Sequence, residues 1–285
     1  MPTFPWIKTD QLAELIQRPN EIRLVDCRFD LAKPGWGRES FIKTHIPGAV
    51  FADLNQDLAG PITKETGRHP LPDPARFVDA LAAWGIEPGR LVVTYDTTGG
   101  SYADRLWWLL EAISHENVQI LDGGFSKWQA EGRPVHSGIE PVAPAAYRYP
   151  ARFNPDMFLT TAQVEEIKND PAYLLIDARS PERFQGLVEP IDTVAGHIPG
   201  AVNRMHAMNL SADGKLKPAE QLRQEFANLV GSHPLDHVVV YCGSGVTSIH
   251  HLAALESIGL PGARLYVGSW SEWIRDPSRP IAAGK

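Results

Sequence analysis

Short, almost uninterrupted apolar runs punctuate this chain. They are Arg23–Asp26, Leu91–Tyr95 and Gln119–Leu121 in the first half, then Tyr173–Asp177, His237–Tyr241 and Arg264–Tyr266 in the second. Runs of this length with little polar alternation predict strands buried on both faces, as in a parallel sheet covered by helices. Helical spacing predicts Ala75–Trp84 and Pro218–Leu229. Each has a proline near its start, and Gly85 or Gly231 at or soon past its end. Strand and helix therefore alternate, which predicts an α/β architecture with a mainly parallel sheet flanked by helices. Residues His136–Phe158 carry Pro141, Pro144, Pro150 and Pro155 and no periodicity. A linker is expected at 139–158, between domains at 1–138 and 159–285.

The two halves repeat one another. Ile22-Arg-Leu-Val-Asp-Cys-Arg28 is answered by Leu174-Leu-Ile-Asp-Ala-Arg179, and His45-Ile-Pro-Gly-Ala-Val50 by the identical His197-Ile-Pro-Gly-Ala-Val202. Leu91-Val-Val-Thr-Tyr-Asp96 matches Val238-Val-Val-Tyr-Cys242, and Gly124-Phe-Ser-Lys-Trp128 runs parallel to Ser269-Trp-Ser-Glu-Trp273. Four motifs in one order, offset by 145 to 152 residues, mark a duplicated domain. Each copy is long enough to bury a core of its own.

Composition narrows the function without naming it. The chain has 285 residues, 43% of them hydrophobic and 21% charged, which is ordinary for a globular protein. The net charge of −7 argues against nucleic acid as the main ligand, because a phosphate backbone demands a basic face. No 18-residue apolar run is present, and the first residues lack a basic, then apolar, secretory pattern. A cytoplasmic protein with reduced thiols is expected, and the two cysteines, Cys27 and Cys242, are judged separately on local chemistry.

Cys242 stands where chemistry is done in α/β folds. It opens Cys242-Gly-Ser-Gly-Val-Thr247, between the apolar run ending at Tyr241 and a helical stretch, Ser248–Ile258, closed by Gly259. A loop with Gly243 and Gly245 can turn successive backbone N–H groups inward at a helix N-terminus, a setting that favours a thiolate. At the matching place the first copy has Asp96-Thr-Thr-Gly-Gly-Ser101. A carboxylate facing its own ring of amides is a stable arrangement but no sulfur nucleophile, so only the second copy is expected to be catalytic. Cys27, between Asp26 and Arg28, reads as core packing.

The duplicated unit, the paired His-Ile-Pro-Gly-Ala motifs, the Asp-x-Arg strand ends, Gly268-Ser-Trp-Ser-Glu-Trp273 and the Cys242 loop together resemble the two-domain rhodanese-type sulfurtransferases. The resemblance covers nearly the whole chain. It implies tandem rhodanese-like domains and a second-domain cysteine that takes up a sulfane sulfur as a persulfide. That sulfur then passes to a thiol, to cyanide or to a thioredoxin-like acceptor. Members specific for thiosulfate carry two cations in this loop, whereas Cys242-Gly-Ser-Gly-Val-Thr looks like the loop of members acting on 3-mercaptopyruvate. Electrostatics points the same way: thiosulfate is a dianion that gains from nearby cations, and Gly243 and Ser244 supply none. By the same resemblance, Ser244 is expected to pair with a histidine and an acid, matched to His45 and, upstream of it, Asp30. Arg183 matches an arginine that binds the donor's anionic group. Gly243, Gly245, Val246 and Thr247 contribute loop donors, and Tyr102 aligns with an aromatic that lines the pocket. A second donor-binding arginine of relatives is absent, since the chain reads Glu189-Pro-Ile-Asp192 there.

Other readings stay open at this stage. Thiosulfate:cyanide transfer would use the same Cys242, and a non-catalytic sulfur carrier would need no turnover at all. A cysteine phosphatase needs Cys-x5-Arg, but the sixth residue after Cys242 is Ser248. Arg28 and Arg179, present in both copies, read as structural ion pairs, and the adjacent His250 and His251 as surface or packing residues. No residues have zinc or nucleotide spacing, so neither metal nor cofactor is expected. A monomer is expected.

Overall fold

The computed structural model describes residues 4–284 and contains two five-stranded parallel sheets. In the first unit the order along the chain is β1 (Trp6–Ile7), α1 (Thr9–Leu15), β2 (Ile22–Asp26), α2 (Trp36–Lys43), β3 (Ala49–Phe51), α3 (Pro74–Ala83), β4 (Leu91–Tyr95), α4 (Ala103–Ala112), β5 (Val118–Leu121) and α5 (Gly124–Ala130). In the second it is β6 (Phe158–Leu159), α6 (Thr161–Ile167), β7 (Leu174–Asp177), α7 (Pro181–Phe184), β8 (Val202–Asn203), α8 (Ala219–Val230), β9 (Val238–Tyr241), α9 (Ile249–Ser257), β10 (Arg264–Tyr266) and α10 (Ser269–Trp273). The sheet orders, β1-β5-β4-β2-β3 and β6-β10-β9-β7-β8, are the same order written twice. The edge strands β1, β3, β6 and β8 are two or three residues long, too short to give the sequence an apolar run.

Matching side chains do matching work in the two units. The Asp26 carboxylate takes Arg28 as a buried bidentate pair (Nη2 to Oδ2 2.6 Å), and Asp177 takes Arg179 the same way at 2.6 Å. Each arginine also donates to a backbone carbonyl, Thr44 O or Gly196 O. Tyr95 and Tyr241, which end the central strands β4 and β9, accept from the Ile46 and Ile198 amides at 3.2 Å. Trp128 and Trp273 are fully buried and donate their indole N–H to Pro134 O and Pro280 O. Strand ends are thereby tied to the turns that follow, which fixes the rim of each sheet where loops emerge.

The units do not follow the expected boundaries. The first compact unit runs to Gly60, resumes at Pro72 through Asn154, and takes in Ala212–Leu216; the second takes in Pro61–Leu71. Much of the expected 139–158 linker is packed within the first unit. Tyr149 is buried with its hydroxyl 2.6 Å from His115 Nδ1, and the Ala145 and Asn154 amides donate to Ala82 O and Ala112 O. Proline removes helical periodicity from such a stretch without preventing its burial. His250 and His251 are likewise not on the surface. Both are fully buried against Asn209, and burial, reinforced by Arg204, pushes His251 well below the usual imidazole range. Among the described residues no helix is long and apolar enough to cross a membrane.

Asp26→Ala would strand the Arg28 guanidinium, whose side chain is 4% exposed. The expected loss is about 3–5 kcal/mol of stability, read as a lower urea midpoint; an unchanged midpoint would show that the pair is dispensable.

Candidate active site

The Cys242 loop joins the carboxyl end of β9 to the N-terminus of α9, so Cys242 through Ser248 turn the chain at the rim of the sheet. The turn is possible because Gly245 adopts φ +71°, and a Cβ there would collide with the Val267 carbonyl oxygen. The start of α10 holds the loop from outside. Trp270 N–H donates to Cys242 O at 3.0 Å, Ser271 N–H to Gly243 O at 2.9 Å, and Cys242 N–H to Ser269 Oγ at 3.2 Å. The first two bonds occupy loop carbonyls, while the Ser244 and Ser248 amides are left to donate to the sulfur. Burial pushes the Cys242 thiol up, but the Thr247 hydroxyl, the Ser244 amide, and the Ser248 hydroxyl and amide outweigh it. The thiol therefore sits below the ordinary cysteine range. Ser248 Oγ is buried beside the loop and contributes to keeping the thiol low.

The first unit shows the same loop with its chemistry replaced. Asp96 Oδ1 accepts from the Thr98 and Gly100 amides at 2.8 and 2.9 Å, and Oδ2 from Tyr102 and Ala103 at 2.8 and 3.1 Å. The carboxylate fills its own nest. Cys27 is inert by environment as well: buried at the end of β2, its thiol is pushed well up by burial and then by the charge of Asp26.

The histidine that meets the loop is His69, not His45. His69 Nδ1 lies 2.8 Å from Ser244 Oγ, and both residues are buried. His69 belongs to the Pro61–Leu71 segment that packs into the second unit. Three bonds fix the approach: Gly67 N–H to Glu272 Oε2 (3.2 Å), Arg68 N–H to Ser271 Oγ (3.0 Å), and Arg275 Nε to Thr66 O (2.9 Å). Gly67 is needed because a Cβ there would lie 2.7 Å from Gly268 O. His45 is fully buried, stacked on Phe41, and its Nδ1 is used by Phe41 O at 2.8 Å. His197 repeats this with Phe184. The identical motifs thus hold identical structural histidines, and the expected role for His45 is corrected. Asp30 is corrected with it, since its carboxylate accepts from the Ala32 amide in its own turn and the acid nearest His45 Nε2 is Glu140, at 3.9 Å. Tyr102 sits in the first unit before α4, its ring edge-on to Phe29.

Arg183, on α7, reaches the loop. The Cβ direction of Gly243 points at Arg183 Nη2 and Nη1 (3.6 and 3.7 Å) and, closer still, at Arg68 Nη2 (2.7 Å). Arg183 pairs with Glu189 (2.8 Å) and Asp192 (3.0 Å), and Arg68 pairs with the other Asp192 oxygen. Against burial, which pushes it up, hydrogen bonds from Arg183 and from the Asp192 and Ile191 amides hold Glu189 below the usual carboxylate range.

A rhodanese-like domain model matches residues 8–131 and again 160–276. The chain belongs to the rhodanese-like family. It is 44% identical to a probable 3-mercaptopyruvate sulfurtransferase of Pseudomonas aeruginosa, with all of both chains covered. It is 34% identical to the Escherichia coli 3-mercaptopyruvate sulfurtransferase over 99% of each. To a putative thiosulfate sulfurtransferase of Mycobacterium tuberculosis it is 38% identical, over 98% of this chain and 96% of the relative. The solved 3-mercaptopyruvate sulfurtransferase of Leishmania major superposes with a TM-score of 0.82 at 31% identity, covering 94% of this chain and 74% of that one.

Within this rhodanese-like frame the sequence pointed to Cys242, Ser244 and Arg183, and the structure brings these three together. It missed His69, Arg68 and Ser248. Gly67-Arg-His-Pro70 lies in a proline- and glycine-rich stretch with no periodicity, and no matching motif in the second copy flags it. Among the described residues no group of three or more His, Cys, Asp or Glu could hold a metal.

Alkylation of Cys242 by iodoacetamide should reach its plateau below the pH at which an ordinary thiol ionises and fall away as pH drops further. Ser248→Ala, by removing a donor to the sulfur, should move the midpoint upward. A midpoint shared with a free cysteine would show that the loop does not stabilise the thiolate.

Proposed function

We propose that this chain is a sulfurtransferase that takes sulfur from 3-mercaptopyruvate onto Cys242 and passes it to an acceptor thiol, to cyanide or to a thioredoxin-like protein. The single observation that carries the reading is the Cys242 sulfur held among the donors of Ser244, Thr247 and Ser248 despite complete burial. The names of its relatives support sulfur transfer as the reaction and 3-mercaptopyruvate as the donor.

The chemistry balances without an outside reagent. The Cys242 thiolate attacks the donor sulfur, the carbon–sulfur bond breaks, and its electron pair leaves as the enolate of pyruvate. The proton from the donor thiol ends on the departing carbon, so the products are pyruvate and a Cys242 persulfide anion. Ser244, hydrogen-bonded to His69, is placed to relay that proton. The loop donors that hold the thiolate then hold the persulfide. An acceptor thiolate attacks the outer sulfur, and the Cys242 thiolate is released as leaving group. Arg183 takes the donor carboxylate through Nη1, which neither Glu189 nor Asp192 engages.

Comparing kcat/KM for 3-mercaptopyruvate and thiosulfate in a common cyanide assay tests the donor. A preference for 3-mercaptopyruvate is expected; a preference for thiosulfate would overturn it. Cys242→Ser should lose all turnover, and His69→Ala should lower kcat by about 10²–10⁴-fold, the usual worth of a positioned proton relay. Turnover surviving in Cys242→Ser would remove the mechanism.

A further inference from the structure

The residues beside the Cys242 loop form an alternating chain of charges: Asp177, Arg179, Glu189, Arg183, Asp192 and Arg68, each paired with the next. Three positive and three negative groups cancel. Their exposure is not symmetric. The Arg68 and Arg183 side chains are 21% and 14% exposed, while Glu189 and Asp192 are each 4% exposed. The guanidiniums therefore stand in front and the carboxylates behind them. Both guanidiniums face Gly243, the residue next to the nucleophile, and glycine there leaves nothing between them and the loop. A donor anion approaching Cys242 meets two cations that share Asp192, with Glu189 as a further partner of Arg183 alone.

We propose that Asp192 is the specificity-determining residue for donor charge: by pairing with both guanidiniums, Arg68 and Arg183, it lowers the positive potential at the donor site and favours a donor bearing one negative charge over a dianion. Arg68 is then a donor-binding residue supplied from the segment beside His69. This rests on the sulfurtransferase reading above and deepens it. Burial pushes the Asp192 carboxyl up against the opposing charge of Arg68, consistent with a carboxylate held behind its partners.

The physical rule makes a test that structural damage cannot imitate. A change in potential at the donor site acts once on a monoanion and twice on a dianion. The ratio of kcat/KM for thiosulfate to that for 3-mercaptopyruvate therefore reports the site charge, while any general loss of active protein cancels. Asp192→Asn should raise the ratio at least about tenfold. Arg68→Gln should lower it, and Asp192→Glu, which keeps the charge, should leave it as in the wild type. An unchanged ratio in both Asp192→Asn and Arg68→Gln would overturn the proposal, as would equal shifts in Asp192→Asn and Asp192→Glu. A wild-type preference for thiosulfate would strike the donor assignment instead. The ratio shifts would remain readable, so the two failures are told apart.

Discussion

Everything proposed for this protein depends on one balance: a fully buried sulfur whose thiol is kept below the ordinary cysteine range by the donors of its own loop. Burial alone would push the Cys242 thiol up. The reversal needs the Ser244 and Ser248 amides and the Thr247 and Ser248 hydroxyls to converge within one short turn. That convergence needs Gly245 at positive φ and α10 holding the Cys242 and Gly243 carbonyls from outside. Strand β9 and helix α9 supply the frame, but the turn between them supplies the chemistry.

The duplication separates frame from chemistry. Both units keep the Asp–Arg pair, the tyrosine hydroxyl on the His-Ile amide and the buried tryptophan on a proline carbonyl. Such features recur because each sheet must close its rim in the same way. The rims differ at their centres, where Asp96 satisfies its four amides internally and Cys242 faces donors with a nucleophile. A repeated residue is thus a structural residue by default, and function lies where the repeat breaks.

That rule explains what was legible in the sequence and what was not. The central strands were readable because parallel strands covered on both faces leave continuous apolar runs; Leu91–Tyr95 and Arg264–Tyr266 stand where the pattern put them. Cys242 was readable because its counterpart is Asp96. His45 misled because its motif is conspicuous, yet its twin His197 shows the same backbone bond and ring stack in the other copy. His69 and Arg68 were unreadable because long-range packing, rather than local pattern, brings Pro61–Leu71 into the second unit. The Arg68–Asp192 pair was hidden for the same reason, since 124 residues of chain separate its partners.

In the proposed reaction the charges around Gly243 select the donor by its anion, and the donors around Cys242 receive its sulfur. Intact mass after exposure to 3-mercaptopyruvate reads that reception directly. A gain of one sulfur atom is expected, lost on reduction and absent from Cys242→Ser. No gain in the wild type, or a gain that persists in Cys242→Ser, would contradict it.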